Sequence, residues 1–371
     1  MKKLGFGLMR LPRIVATDRS SIDVDAFCRM ADEFIDGGFT YFDTAWMYCG
    51  HNSERAVKTA LTSRHARDTF TLATKFHVAF ANSAEEMKNI FSEQLGKTGA
   101  EYFDYYLMHD MSRDNYAKCE SFGAFEFFAE KKAEGLIKSL GCSFHDTPEV
   151  LDTVLTEHPE LEFVQLQINY LDWDSPAIRA RECYEVARRH GKPVIVMEPV
   201  KGGTLAKLPD EIEQKMKAYR PDMSVASWAL RFAASLDGVM VVLSGMTTLE
   251  QLRDNMSFMS DVEPLDGTEQ KIIADAVAAL NSNTFIPCTG CGYCVDGCPA
   301  GIPIPKYFSL YNADRQEIAG KGLTPQRVLY SNIIKDPGAP TDCVECGQCE
   351  GICPQHIRVI KRLKEVEEYF G

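Results

Sequence analysis

Two cysteine runs near the C-terminus share one spacing, CxxCxxCxxxCP. They are Cys288, Cys291, Cys294 and Cys298 followed by Pro299, then Cys343, Cys346, Cys349 and Cys353 followed by Pro354. Thiolates are soft ligands that suit iron–sulfur clusters. Three cysteines at this spacing wrap one face of a cubane, while the fourth, held off by a proline turn, reaches across to a neighbouring cluster. The pattern predicts two [4Fe-4S] clusters, one on Cys288, Cys291, Cys294 and Cys353, the other on Cys343, Cys346, Cys349 and Cys298. Structural zinc sites present CxxC pairs instead. Disulfides would need an oxidising compartment, and Arg10 and Arg13 break up any signal-peptide core behind the two N-terminal lysines.

A second group of reactive residues ends successive apolar runs. Asp43 closes one run within Asp-Thr-Ala-Trp-Met-Tyr, with Tyr48 in the same motif; Lys75 closes the next in Thr-Lys; His109 closes the third in Met-His-Asp. A single strand-end Asp or His is usually a loop cap, but this succession suits one reaction, protonation of a carbonyl oxygen while hydride reaches its carbon. A phenol ionises near pH ~10, and an ammonium beside it favours the phenolate. Lys75 would be that cation, Asp43 would balance its buried charge, His109 would hold the substrate oxygen, and Tyr48 would pass the proton.

Positioning these groups requires strands. Eight β-rich runs alternate with amphipathic helical stretches: Leu4 to Leu8, Phe39 to Asp43, Phe70 to Lys75, Phe103 to Met108, Ile137 to Cys142, Phe163 to Gln167, Val194 to Met197 and Val239 to Leu243. Eight parallel strands in this length fit an α/β fold of the (β/α)8 TIM-barrel type, in which catalytic groups gather at the strands' C-terminal ends. A doubly wound sheet would call for a GxGxxG after the first strand, and none is there. The barrel is predicted over residues 1–280. A mostly helical, two-cluster ferredoxin-like domain follows over 281–371, with helical segments near Ile304 to Ala313, Pro325 to Ile334 and Val359 to Tyr369.

The composition, 45% hydrophobic and 25% charged, is that of a soluble globular protein, and no run of apolar residues is long enough to span a bilayer. The net charge of −13 argues against nucleic-acid partners. A cytoplasmic location is expected, with no membrane association. An acidic electron carrier would meet a basic redox protein.

On these motifs the chain resembles the aldo-keto reductases, specifically the branch fused to a C-terminal ferredoxin-like domain. Gly-Phe-Gly-Leu-Met-Arg-Leu-Pro near the start and Glu198 to Gly203 are similar to motifs of that branch. The resemblance implies an oxidoreductase acting on a small-molecule carbonyl compound with Asp43, Tyr48, Lys75 and His109 as its tetrad. It also implies a nicotinamide cofactor, NADP or NAD. Ser143 and Gln165 would hold the carboxamide, Met197 would lie against the nicotinamide, and Ser244, Gln251 and Asn255 would line the adenosine-phosphate loop. Phe144 stands where the family has an asparagine, Met197 where it has an aromatic ring, and Gly245 and Gln251 where cations often meet a 2′-phosphate. Three readings stand open: an NAD(P)H-dependent carbonyl reductase, a ferredoxin-linked reductase with a flavin as converter, and an electron carrier with a scaffold barrel.

Overall fold

The computed structural model describes residues 2–176, 178–282, 285–288, 290–316, 324–353 and 355–371. Pro354, the second motif's proline, lies outside the described residues. Eight parallel strands close a barrel in sequence order: β1 (Leu4–Gly7), β2 (Tyr41–Asp43), β3 (Thr71–Phe76), β4 (Phe103–Met111), β5 (Ile137–Phe144), β6 (Phe163–Gln167), β7 (Val194–Met197) and β8 (Val239–Ser244). Side chains on a strand alternate between faces. Tyr41, Ala73, Leu107, Phe163, Ile195, Val241 and Leu243 pack together as the barrel's interior, with Met197 against them. Alternation then puts Asp43, Lys75, Ser143 and Gln165 on the same inner face, one step nearer the mouth. The intervening residues, among them Phe42, Leu72 and Phe144, join the outer core under the helices.

Two strands run two or more residues past their predicted ends, β4 to Met111 and β5 to Phe144. Their pairing is irregular between Met108 and Met111, and Asp110 has a left-handed backbone with φ of 54°. A bulge of this kind bends a strand and re-aims its side chains. Here it acts on the segment that carries His109 and Asp110.

Phe27, Met30, Ala31 and Phe34, spaced at the helical period, form the buried face of the helix Val24–Asp36. This helix is capped at its start by Asp23 and ended by Gly37 and Gly38, the latter at φ of 75°. The helix Gly267–Ser282 sends Ile273 and Ala276 into a barrel-side core with Trp228 and Leu205. Ile286, shortly after it, belongs to a separate core built from Tyr307, Phe308, Leu329, Val359 and Leu363, around which six of the motif cysteines sit or pack.

This second core is helical, with Ile304–Arg315, Pro325–Ile333 and Val359–Phe370 as its main elements. It packs on the barrel through Ile178. Arg113 donates to Asp336 at 3.0 Å and Lys335 to Asp114 at 2.6 Å across the same boundary. Leu329 and Pro325 meet Phe144, His145 and Asp146, at the end of β5, around a shared cavity of about 380 Å³. Among the described residues, no helix is long and apolar enough to cross a membrane.

Away from the mouth, Arg231 and Glu269 form a fully buried pair at 2.6 Å that ties the helix Val225–Ser235 to Gly267–Ser282. Removing one partner of such a pair leaves a desolvated charge. Arg231→Met is expected to cost about 3 kcal/mol, the surviving contact of Glu269 with Arg220 limiting the loss. Adding Glu269→Leu is expected to recover most of it, as read by denaturant unfolding under anaerobic conditions.

Candidate functional site

Lys75 is the centre of the barrel mouth. Only 1% of its side chain is exposed, and its ammonium donates to the Asp43 carboxylate, to the Thr44 carbonyl at 2.9 Å and to the Tyr48 hydroxyl at 3.3 Å. Three donors thus meet three acceptors. Burial pulls the Lys75 pKa down, but Asp43 and Tyr48 outweigh it and the net shift is upward. Burial pushes the Asp43 pKa up, opposed by Lys75. Tyr48 differs from the simple expectation of a lysine-lowered phenol. Loss of solvent raises its pKa more than Lys75 lowers it, so the phenol keeps its proton.

His109 sits edge-to-face with Tyr48, ring centroids 5.8 Å apart. Its pKa is held well below the usual histidine value by burial first, then by Lys75, His77 and His145. A neutral imidazole therefore faces the phenol. Its Nδ1 is buried without a hydrogen-bond partner among the described residues. The structure thus brings all four predicted residues of the tetrad together.

Among the residues predicted to hold a nicotinamide, Ser143 accepts the Asp110 backbone N–H at 2.9 Å, which leaves its own hydroxyl proton to donate. Gln165 is buried with its Oε1 unpaired. An orphaned amide oxygen beside a hydroxyl donor is complementary to a carboxamide, which supplies one N–H donor set and one acceptor. Met197 borders the interior core. Asn255 donates to Ser244 at 2.8 Å, and Gln251 accepts from the Thr247 backbone at 2.8 Å, so both brace the loop after β8.

Arg10 is a cation that strand-end reading of the sequence did not single out. It follows β1 and donates to the Gly202 carbonyl at 3.0 Å, with Glu198 at 3.7 Å. A Cβ added at Gly245 would lie 3.3 Å from its side chain. Arg10 thus bridges the loops after β7 and β8, the region where barrels of this type bind phosphates. Lys201 is fully buried in an ion pair with Asp172 at 2.8 Å, and the His77 ring lies 3.4 Å from Asp110, both near the strand ends. The only sequence signal for these was a charged residue beside a strand end. Trp173 and Tyr170 meet Phe232, whereas Trp46 meets His51. Cys49 is buried, with its sulfur against the Leu8 and Met9 carbonyls.

The motif cysteines line two cavities. Cys288, Cys291, Cys294 and Cys353 surround one of about 340 Å³ with Ile304, Phe308 and Val359. Cys298, Cys343, Cys346 and Cys349 surround another of about 320 Å³ with Ile302 and Ile360. Each cavity draws its fourth cysteine from the other run. The backbone repeats as well: Gly290, Gly292 and Gly301 are left-handed in the first copy, and Glu345, Gly347 and His356 at the matching positions of the second. Burial raises the Cys288 thiol, and Cys291 and Cys353 raise it further. Clustered thiols of this kind are stable as thiolates only beside cations. Among the described residues, no three His, Cys, Asp or Glu side chains converge on one metal ion. Four thiols spread around a cavity fit a cubane, in which each binds a different iron.

Residues 3–277 match the aldo/keto reductase family model, and residues 287–357 match the 4Fe-4S dicluster domain model. The uncharacterized oxidoreductase YqkF of Bacillus subtilis strain 168 is 24% identical over 285 residues, 68% of this chain and 86% of that protein. A shorter segment, 22% of this chain, is 29% identical to 31% of the sulfhydrogenase 2 subunit beta of Pyrococcus furiosus. Among solved structures, aldo-keto reductase AKR11C1 from Bacillus halodurans, in its holo form, superposes with a TM-score of 0.58 at 27% identity, covering 74% of this chain and 91% of its own. An aldo-keto reductase from Klebsiella pneumoniae in complex with NADPH does so with a TM-score of 0.57 at 22% identity, covering 74% and 90%. With the barrel, the mouth and the cysteine cavities, these matches establish that the chain belongs to the aldo/keto reductase family of oxidoreductases and carries a C-terminal 4Fe-4S dicluster domain.

Proposed function

We propose that the barrel reduces a small-molecule carbonyl compound, with Tyr48 as general acid and NADPH or NADH as cofactor. We further propose that residues 281–371 form a domain holding two [4Fe-4S] clusters. The observation that carries the first reading is the Lys75 ammonium shared between Asp43, Thr44 and Tyr48. Because Lys75 donates to the phenol oxygen, the phenol's own proton remains free for a substrate oxygen. Neutral His109 orients that oxygen, and Asp43 keeps the ammonium charged. Ser143 and Gln165 would hold a carboxamide, Met197 the adjoining ring, and Arg10 with the loop braced by Ser244, Gln251 and Asn255 the phosphates. A bound nicotinamide supplies hydride to the carbonyl carbon, and bound clusters pass single electrons. The NADPH in the Klebsiella pneumoniae structure supports the same cofactor class here.

The contact of Pro325 and Leu329 with Phe144 and His145 at the end of β5 motivates a second reading, in which the clusters are the electron donor through a flavin. Anaerobic titration with NADH and NADPH separates the two. Bleaching of the cluster absorbance favours electron sharing, and carbonyl turnover with unbleached clusters favours a barrel that works alone.

Tyr48→Phe is expected to lower kcat for carbonyl reduction by roughly 10²–10⁴-fold with KM little changed. Unaltered turnover would remove Tyr48 from the mechanism. The reduction rate should be flat from about pH 6 to about pH 9. His109, with its pKa depressed, is already neutral above that lower limit, and Tyr48, with its pKa raised, stays protonated below the upper one. A limb near the ordinary histidine pKa would contradict this assignment. For the clusters, Cys353→Ser is expected to reduce the iron content by about half, with loss of the electron paramagnetic resonance signal of the cluster on Cys288, Cys291 and Cys294. Loss of the other signal instead would mean that each run binds its own cluster.

A further inference from the structure

Immediately after Tyr48, three consecutive residues are left-handed: Cys49 at φ of 52°, Gly50 at 62° and His51 at 67°. This conformation costs little for glycine and is disfavoured for any residue with a Cβ, so a histidine held there is kept by its surroundings. Those surroundings are rings. His51 meets Trp46 edge-to-face at 5.6 Å and Phe80 at 5.4 Å. Phe80 meets His77 at 5.7 Å, His77 meets His109 at 5.4 Å, and His109 meets Tyr48 at 5.8 Å. The six rings thus form one row that runs from Trp46 through His51, Phe80, His77 and His109 to the phenol of Tyr48. Phe80 is 39% exposed, so this part of the row opens to solvent.

The polar atoms of this row of rings divide into three kinds. Tyr48 and His109 serve the carbonyl oxygen. His77 is spent, with Nδ1 accepting the Ala79 N–H at 3.2 Å and Nε2 facing Asp110 at 3.4 Å. His51 remains, and among the described residues its imidazole nitrogens have no hydrogen-bond partner, although rings fix it on two sides.

We propose that His51 is a specificity-determining residue that hydrogen-bonds a second polar group on the substrate. The preferred substrate is then an aromatic carbonyl compound whose ring lies among Trp46, Phe80 and His51 and which bears a carboxylate or similar acceptor. The inference rests on the reading of Tyr48 as proton donor to the carbonyl.

The test is the binding of benzaldehyde and of 3- and 4-carboxybenzaldehyde to the full-length, cluster-loaded protein, by calorimetry, alongside KM where turnover is seen. Wild type should bind at least one carboxylate isomer about tenfold or more tightly than benzaldehyde. His51→Gly suits the left-handed backbone, so it should melt no lower than wild type while abolishing the preference. His51→Asn tolerates the same backbone and keeps a hydrogen-bonding amide, and should retain part of it. The proposal fails if wild type shows no preference, if His51→Gly preserves it, or if His51→Gly melts well below wild type and so marks the residue as structural. Binding is read without turnover, so absent carbonyl reduction with the His51-dependent preference intact would refute the role of Tyr48 alone.

Discussion

One buried ammonium governs the mouth of the barrel. Taking a charge such as Lys75 out of water costs several kcal/mol after relaxation, and the cost is offset only when every N–H has an acceptor in good geometry. The chain meets that condition with Asp43, Thr44 and Tyr48, and each acceptor is itself constrained. Thr44 bonds Ser53 at 2.8 Å, and Ser53 bonds the Leu8 carbonyl at 3.2 Å, joining β2 to the segment after β1. Beneath the lysine, Gln94 donates to the Lys75 carbonyl at 3.1 Å and to Glu54 at 2.7 Å, and Tyr106 donates to Gln94 at 2.6 Å. Glu54 and Gln94 are fully buried. A charge that must be satisfied from three sides therefore imposes a polar layer on an otherwise aromatic core, and that layer fixes where Tyr48 can stand.

Much of this could be read from the chain because strands alternate strictly. Tyr41 and Asp43, Ala73 and Lys75, and Phe163 and Gln165 are each two apart, so an apolar interior residue announces a polar one at the rim. The cysteine spacing was equally legible, since both runs repeat one pattern. What could not be read depends on distant chain returning to the site. Arg10 reaches Gly202 across 192 residues, and no local period records that. His77 and Asp110 meet because β4 continues through an irregular pairing to Met111, past the apolar run that ends at Met108. The direction of the Tyr48 shift was also beyond sequence reasoning, because it is a balance between two large opposed effects, burial and Lys75, of which only the charge was visible.

The crossed cysteines impose a second constraint. Since each cavity needs residues from both runs, neither run can fold as a separate unit, and the segment between them must form a compact body. The helices Ile304–Arg315 and Pro325–Ile333 fill that role, and Ile304 lines both cavities. A bound cubane would also replace the thiol protons that burial and mutual repulsion hold on Cys288, Cys294 and Cys349, so occupancy and folding of this domain are coupled.

If the barrel takes hydride from a nicotinamide and the clusters pass single electrons, the two halves of the molecule handle electrons in different units, and the place where they touch matters more than their proximity. The C-terminal helix Pro325–Ile333 meets the barrel at the ends of β5 and β6, not at its base. Ser143 and Gln165 lie on these same strands, facing inward, while Phe144 and Leu166 face the shared cavity. A change in the C-terminal domain therefore needs to travel only across one strand to reach the groups that fit a carboxamide. The contact therefore lies one strand behind Ser143 and Gln165, where packing joins the second domain to the wall of the barrel mouth.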